Sequence, residues 1–168
     1  MSLPHEPITG DVIMLDVDGV MVHSKTVGRS RGHNGIWAHL AQLDEEAVAR
    51  VVRIVQATGA RLVLSSMWRR HADQRNALGK AFYTAGLRRS LTTFGRMRTP
   101  HFGHLPGEIR RDEEIRTWLL ANPGVRRAIF IDDEPIKAIP GVWIENGHFT
   151  GGIQEYHVAE AIALLPKE

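Results

Sequence analysis

Two aspartates one residue apart close an apolar run in "IMLDVDGVMV", residues 13–22, with Gly19 directly behind them. The ending recurs in "AIFIDD", which stops at Asp132 and Asp133, and in a hydroxyl version in "RLVLSS", which stops at Ser65 and Ser66. Short apolar, β-branched runs without helical spacing are the pattern of strands covered on both faces. In open parallel sheets, ligands bind beyond the carboxyl ends of such strands. If the three strands are neighbours, four carboxylates share one small crevice, where unbalanced like charges repel by several kcal/mol in order of magnitude. The crevice therefore calls for a cation. Oxygen ligands from Asp16, Asp18, Asp132 and Asp133 suit Mg²⁺, which is bound by few protein groups and keeps positions free for phosphate. Alternate residues on a strand point the same way, and a turn at Gly19 lets Asp18 swing above Asp16. One carboxylate can then attack while the other moves protons.

The elements that must position these groups follow from periodicity and punctuation. Residues 12–17 read as the first, central strand, and residues 61–64 as the second. Residues 19–43 have little periodicity and contain Gly28, Gly32 and Gly35 with several histidines, so they read as a loop or short flap. Asp44 can cap a helix whose apolar positions Val48, Val51, Val52 and Val55 repeat helically up to Gly59. Residues 71–85 read as another helix. Glu108 or Arg111 opens a further one that runs to Leu120, with Ile115, Leu119 and Leu120 along one side, and "NPG" at 122–124 stops it. Residues 141–147 read as a strand with an Asn-Gly turn, and residues 153–165 as a closing amphipathic helix. Strands alternating with helices indicate a parallel α/β sheet with helices on both faces.

The 168 residues, 43% of them hydrophobic, suffice for one core, so a single domain is expected over residues 11–168 with a flexible segment at 1–10. That segment lacks the basic start and apolar middle of a signal peptide, and no apolar run approaches the length of a membrane span. The expectation is a soluble, cytoplasmic protein that does not engage membranes. The absence of cysteine excludes disulfides, thiolate metal sites and a cysteine nucleophile. Formal charge is only +2, yet arginines come in pairs, at 69–70, 88–89, 110–111 and 126–127. Paired arginines suit phosphate esters and nucleic acid, although solvated surface charge accounts for most such pairs. His101 and His104 could grip zinc but read more simply as loop surface without further ligands. His23 and His33 either meet substrate or are exposed. Trp37, Trp118 and Trp143 read as core, whereas Trp68, after Ser65-Ser66 and before two arginines, either stacks a base or packs half-buried.

The ordered motifs resemble the haloacid dehalogenase (HAD) superfamily of phosphohydrolases. Its first motif appears as "DVDGV", its second, a strand ending in Ser or Thr, as "RLVLSS", and its fourth as "IFIDD". The third, a basic residue opening a helix before the last catalytic strand, is Arg110 or Arg111, where the family usually carries lysine. Lys80 is a rival but lies mid-helix. More narrowly, "LSSMWRR", "RTPHF", "RRDEEIRTWL" and "IFIDDE" in this order look like the small members grouped with RNA-repair-associated domains.

The resemblance implies a three-layer, Rossmann-like (HAD-like) fold without a large cap domain. It also implies a magnesium-dependent phosphatase in which Asp16 attacks phosphorus to form an aspartyl-phosphate. Asp18 protonates the leaving oxygen and later deprotonates the hydrolytic water. The metal would be held by Asp16, the backbone carbonyl of Asp18, and Asp132 or Asp133. Ser65 or Ser66, with Arg111 or Arg110, would hold the phosphate. The flap at 19–43 is too short for a helical cap, and the stretch from Trp68 to Arg110 is largely used by one helix and its return. An open crevice in this family goes with large substrates or with a partner subunit, such as a second copy, acting as lid. Abundant arginine leans toward a phosphorylated nucleotide or polynucleotide end. The competing readings are a nucleic-acid or phosphoprotein binding module without turnover and a phosphotransferase of the same family. A dehalogenase proper is disfavoured by the carboxylate at position 18.

Overall fold

Strands β1 (Gly10–Leu15), β2 (Arg61–Leu64), β3 (Val125–Asp132) and β4 (Gly141–Trp143) form one sheet in the order β2-β1-β3-β4, with every neighbouring pair parallel. The computed structural model that shows this describes residues 6–168. Parallel neighbours need long crossovers, and helices supply them. These are α1 (Gly35–Gln42), α2 (Glu45–Thr58), α3 (Ala72–Thr84), α4 (Gly107–Ala121), the single turn α5 (Gly147–Thr150) and α6 (Glu155–Leu164).

Alternation along the strands divides the core in two. Ile13 and Leu15 of β1, Leu62 and Leu64 of β2, and Ile129 and Ile131 of β3 join a large cluster with Val51 and Val55 of α2, Phe82 of α3 and Val158 of α6. Val12, Met14, Val63 and Phe130 point the other way, into a smaller cluster with Ile115 and Trp118 of α4. The fold is thus the three-layer, Rossmann-like α/β arrangement that the alternating pattern predicts. Asp44 caps α2 by accepting from the backbone N–H groups of Glu46 and Ala47, and Gly59 closes it in the left-handed region at φ 72°.

Four expectations need correction. The flap at 19–43 is not all loop, because residues 35–42 form α1, which packs beside α3 without burying any of its own residues fully. Weak burial is why its pattern escapes periodicity. Of the N-terminal segment, residues 1–5 lie outside the described residues, but Ile8 is buried in the smaller core and Gly10 already belongs to β1. Leu120 is 83% exposed, so the apolar side of α4 runs through Ile115 and Trp118 instead. Trp37 and Trp143, read as core, are largely exposed.

Besides α2 between β1 and β2 and α4 between β2 and β3, the chain adds only α1, α3, short turns and an irregular segment at 85–106 to these connections, so no large cap covers the sheet. Within that segment, the N–H of Leu64 donates to Met97 and that of Thr99 donates to Leu64, at 2.8 and 3.0 Å. The free edge of β2 is thereby sheathed. No helix among the described residues is long and apolar enough to cross a membrane.

Candidate active site

β1, β2 and β3 are adjacent, so their carboxyl ends place Asp16, Ser65 and Asp132 side by side. The N–H of Asp16 donates to Ile131 at 3.0 Å and that of Ser65 to Leu15 at 2.8 Å, which continues both ladders to the first site residues. Asp16 and Asp132 are 4% and 1% exposed. Ligand oxygens of Asp16, Asp132 and Asp133 lie within 4.8 Å of one another. Three crowded carboxylates of which two are deeply buried fit a hard divalent cation with oxygen preference.

The electrostatics agree with that fit. Burial, reinforced by the Asp16 charge, pushes Asp132 well above the usual carboxylate range. The same two causes raise Asp133 to about 7. The Asp18 side chain opens to solvent on one side, yet desolvation by the crevice walls and the Asp16 charge still raise it, opposed by Trp68 and His148. Asp18 stands outside the three-carboxylate cluster.

Gly19 makes the turn between these groups possible. Its φ is 79°, which favours glycine, and a Cβ there would overlap the Asp133 carboxylate. A backbone hydrogen bond from the N–H of Gly19 to Val22, 2.8 Å, closes the turn that follows Asp18.

The two candidate arginines part company. On a helix neighbouring side chains point about 100° apart, so only one of the pair can face the sheet edge. Arg111 does, with its Nε 3.5 Å from Asp132, one terminal nitrogen 3.8 Å from Asp16 and the other 3.5 Å from the Ser65 hydroxyl. Burial weighs against its charge, but Asp16 and Asp132 outweigh it and make the guanidinium more basic than usual. Arg110 turns away and donates to the Leu105 carbonyl at 2.9 and 3.2 Å. The serines divide similarly. Ser65 faces Arg111, whereas Ser66 is fully buried and its hydroxyl caps the following turn by accepting from the N–H of Trp68.

Next door on α4, Asp112 accepts from the N–H groups of Lys137 and Ala138 at 2.8 and 2.6 Å, fastening the loop that follows Asp133. Glu114, 1% exposed, pairs with Arg69 at 2.8 Å and accepts from the N–H of Phe102. The sequence reading passed over Asp112 and Glu114. A signal existed, because Asp112 lies three residues before Ile115 and so at core-facing spacing on α4.

Several other candidates stand elsewhere. His101 faces Glu114 and Arg69, so it belongs to this buried ion pair and forms no zinc cluster with His104 among the described residues. His23 is buried and pairs with Asp44 at 2.6 Å, tying the flap to the start of α2. Trp68 is 2% exposed and meets His39 edge-on, so it packs and offers no face for stacking. Lys80 stands over the ring of Trp37, away from Arg111 and the carboxylates.

A family model described as the HAD domain in Swiss Army Knife RNA repair proteins matches residues 12–157. No curated protein and no solved structure gives a significant match. HAD proteins generally use Mg²⁺, in keeping with the acidic cluster. The matched stretch runs from β1 into α6 and contains every site residue named above, so the chain belongs to this family of HAD domains and, through it, to the HAD superfamily.

Proposed function

We propose that the protein is a magnesium-dependent phosphatase that hydrolyses phosphate monoesters through an aspartyl-phosphate on Asp16. The observation that carries this reading is the convergence of Asp16, Asp132 and Asp133 within 4.8 Å, with Arg111 spanning Asp16, Asp132 and Ser65. Bound by Asp16, Asp132, Asp133 and the backbone carbonyl of Asp18, Mg²⁺ would neutralise negative charge on the phosphoryl oxygens. Arg111 and the Ser65 hydroxyl hold the remaining non-bridging oxygens and fix the phosphorus over Asp16.

An Asp16 oxygen attacks phosphorus and the ester P–O bond breaks, while Asp18 gives its proton to the leaving oxygen. Asp18, now a carboxylate, takes a proton from water as that water attacks the phosphorus. The Asp16–phosphorus bond breaks, and inorganic phosphate leaves with Asp16 restored. An uncapped crevice admits a large ester. Together with the arginine pairs and the RNA-repair context in the family's description, it favours a nucleotide or polynucleotide end as substrate.

The test is phosphate release from an aryl phosphate and from 3′- and 5′-phosphorylated oligonucleotides, with Mg²⁺ or EDTA, for wild type and Asp16→Asn. The expected result is metal-dependent release that Asp16→Asn reduces at least a thousandfold, the scale on which removal of a nucleophile is felt. Folded wild type that binds oligonucleotide and releases nothing would overturn the reading in favour of a binding module.

A further inference from the structure

A hollow lined by four arginines adjoins the one that contains Arg111 and has no role in the chemistry above. It has a volume of about 660 Å³ and is lined by Arg69, Arg70, Arg96, Arg98, Thr99 and His101, with Thr117 and Trp118 of α4 forming its far wall. Arg69 and His101 also line a smaller hollow of about 130 Å³, whose other walls include Arg111 and Glu134. The two hollows therefore adjoin, with Arg69 and His101 bordering both the one lined by the phosphate-holding arginine and the arginine-rich groove.

Three of the four arginines of this groove are not neutralised by a carboxylate among the described residues. Arg69 is committed to Glu114, but Arg70, Arg96 and Arg98 have no carboxylate within ion-pair distance among the described residues. Arg96 donates to the Glu6 carbonyl, and Arg98 shares the Arg69 carbonyl with Arg75, each at 2.7 Å. Two guanidinium groups on one carbonyl crowd positive charge, which together with burial holds Arg75 below its usual basicity. Thr99, 3% exposed, has a buried hydroxyl without a partner, and so has the Nε of Arg69. Unpaired guanidinium groups and unsatisfied polar atoms around one groove are expected where an anionic ligand completes the set.

We infer that this groove binds the phosphodiester backbone of a single-stranded polynucleotide, with Arg70, Arg96 and Arg98 gripping the phosphates next to the terminal one held by Arg111. The inference rests on the proposed phosphatase reading for the position of that terminal phosphate. A polymer suits the groove better than a free nucleotide, because Arg70, Arg96 and Arg98 line a hollow separate from, but adjoining, the one that contains Arg111. The lining offers no exposed aromatic face, as Trp118 is 5% exposed, so the grip is on backbone and independent of base sequence.

The experiment measures binding of a fluorescent single-stranded oligonucleotide across a salt series, and separately kcat/KM for a phosphorylated oligonucleotide and for an aryl phosphate. The proteins are wild type, the triple variant Arg70→Gln/Arg96→Gln/Arg98→Gln, and Arg53→Gln, a charge control on α2 on the other face of the sheet. The triple variant should bind at least tenfold more weakly, and its log affinity against log salt should lose a slope of about 2, the counterion release of three contacts on single strands. Its oligonucleotide-to-aryl-phosphate ratio of kcat/KM should fall alongside, and Arg53→Gln should match wild type. Wild-type affinity and slope in the triple variant would overturn the inference while leaving the phosphatase reading intact. Binding lost in the triple variant of a protein without turnover would uphold the groove and overturn the phosphatase.

Discussion

The two ends of β1 treat the same residue type in opposite ways. Asp11, at the amino end, is 7% exposed and gripped by Arg126 and Arg127, whose charged hydrogen bonds lower its pKa to about 2. Asp16, one residue past the carboxyl end, is equally buried but shares a single guanidinium with Asp132. The first carboxylate is compensated by the protein and holds strand starts to each other. The second belongs to a cluster whose charge the protein leaves unbalanced, where burial and the Asp16 charge raise Asp133 to about 7. A compensated buried charge serves the fold; an uncompensated one is poised for a ligand.

Apart from loss of the nucleophile, the largest expected departure comes from removing Arg111, the guanidinium that spans Asp16, Asp132 and Ser65. Arg111→Ala should lower kcat/KM for a phosphate ester by about a hundred- to a thousandfold, the usual scale for a lost phosphoryl-oxygen donor. Arg111→Lys should recover part of that loss, because lysine restores the charge but cannot span Ser65, Asp16 and Asp132 together. Steady-state kinetics on both variants checks this.

A glycine at each end sharpens the comparison. Gly10 and Gly19 both lie at positive φ, 83° and 79°, but only Gly19 has a neighbour in the way of a Cβ. Gly10→Ala should cost about 1 kcal/mol from backbone strain alone and leave turnover in place. Gly19→Ala adds a clash with Asp133, so it should cost more than Gly10→Ala and also depress kcat. Denaturant melts and turnover on the two variants separate these effects.

The smaller effects are in pH dependence. Asp11→Asn should lower stability at neutral pH by about 1–2 kcal/mol, from weakened charged hydrogen bonds. The folded pKa of Asp11 is depressed, so its contribution is present above the unfolded value of 3.8 and fades as pH falls toward about 2. The gap between wild type and Asp11→Asn should close over that window. Asp133 has the opposite sign. With a raised folded pKa, its favourable contribution is present below 3.8 and lost as pH rises through about 7. In EDTA, the cluster should therefore weaken the fold as pH rises from about 4 to about 7, and the rise in Tm given by Mg²⁺ should grow over the same range. Thermal melts at several pH values read both effects.

The carboxyl end was the more legible of the two in the sequence. An apolar strand that stops at an acidic or hydroxyl residue announces itself locally, and β2 was bounded from 61 to 64 as the structure has it. What pattern could not resolve were choices that depend on orientation. Arg110 and Arg111 differ only in helix azimuth, and Ser65 and Ser66 only in which way the chain turns after β2. The amino-end cluster went unread because Asp11 meets Arg126 and Arg127 only through the β1–β3 pairing, more than a hundred residues apart in sequence. Long-range partnership also separates the buried tryptophan from the exposed one. Trp68 is buried by the flap helix and its His39, whereas Trp143 lies at the end of the edge strand β4, where its indole N–H reaches the Asp133 carbonyl at 3.1 Å.

The contrast between the ends can be tested by trapping the covalent intermediate. Wild type, Asp16→Asn and Asp11→Asn would be mixed with a ³²P-labelled phosphate ester and Mg²⁺, quenched in acid, and the labelled peptide identified. The account predicts acid-stable, hydroxylamine-sensitive label on the peptide carrying Asp16 in wild type and in folded Asp11→Asn, and none in Asp16→Asn. Turnover without label at Asp16, or label that survives Asp16→Asn, would contradict it.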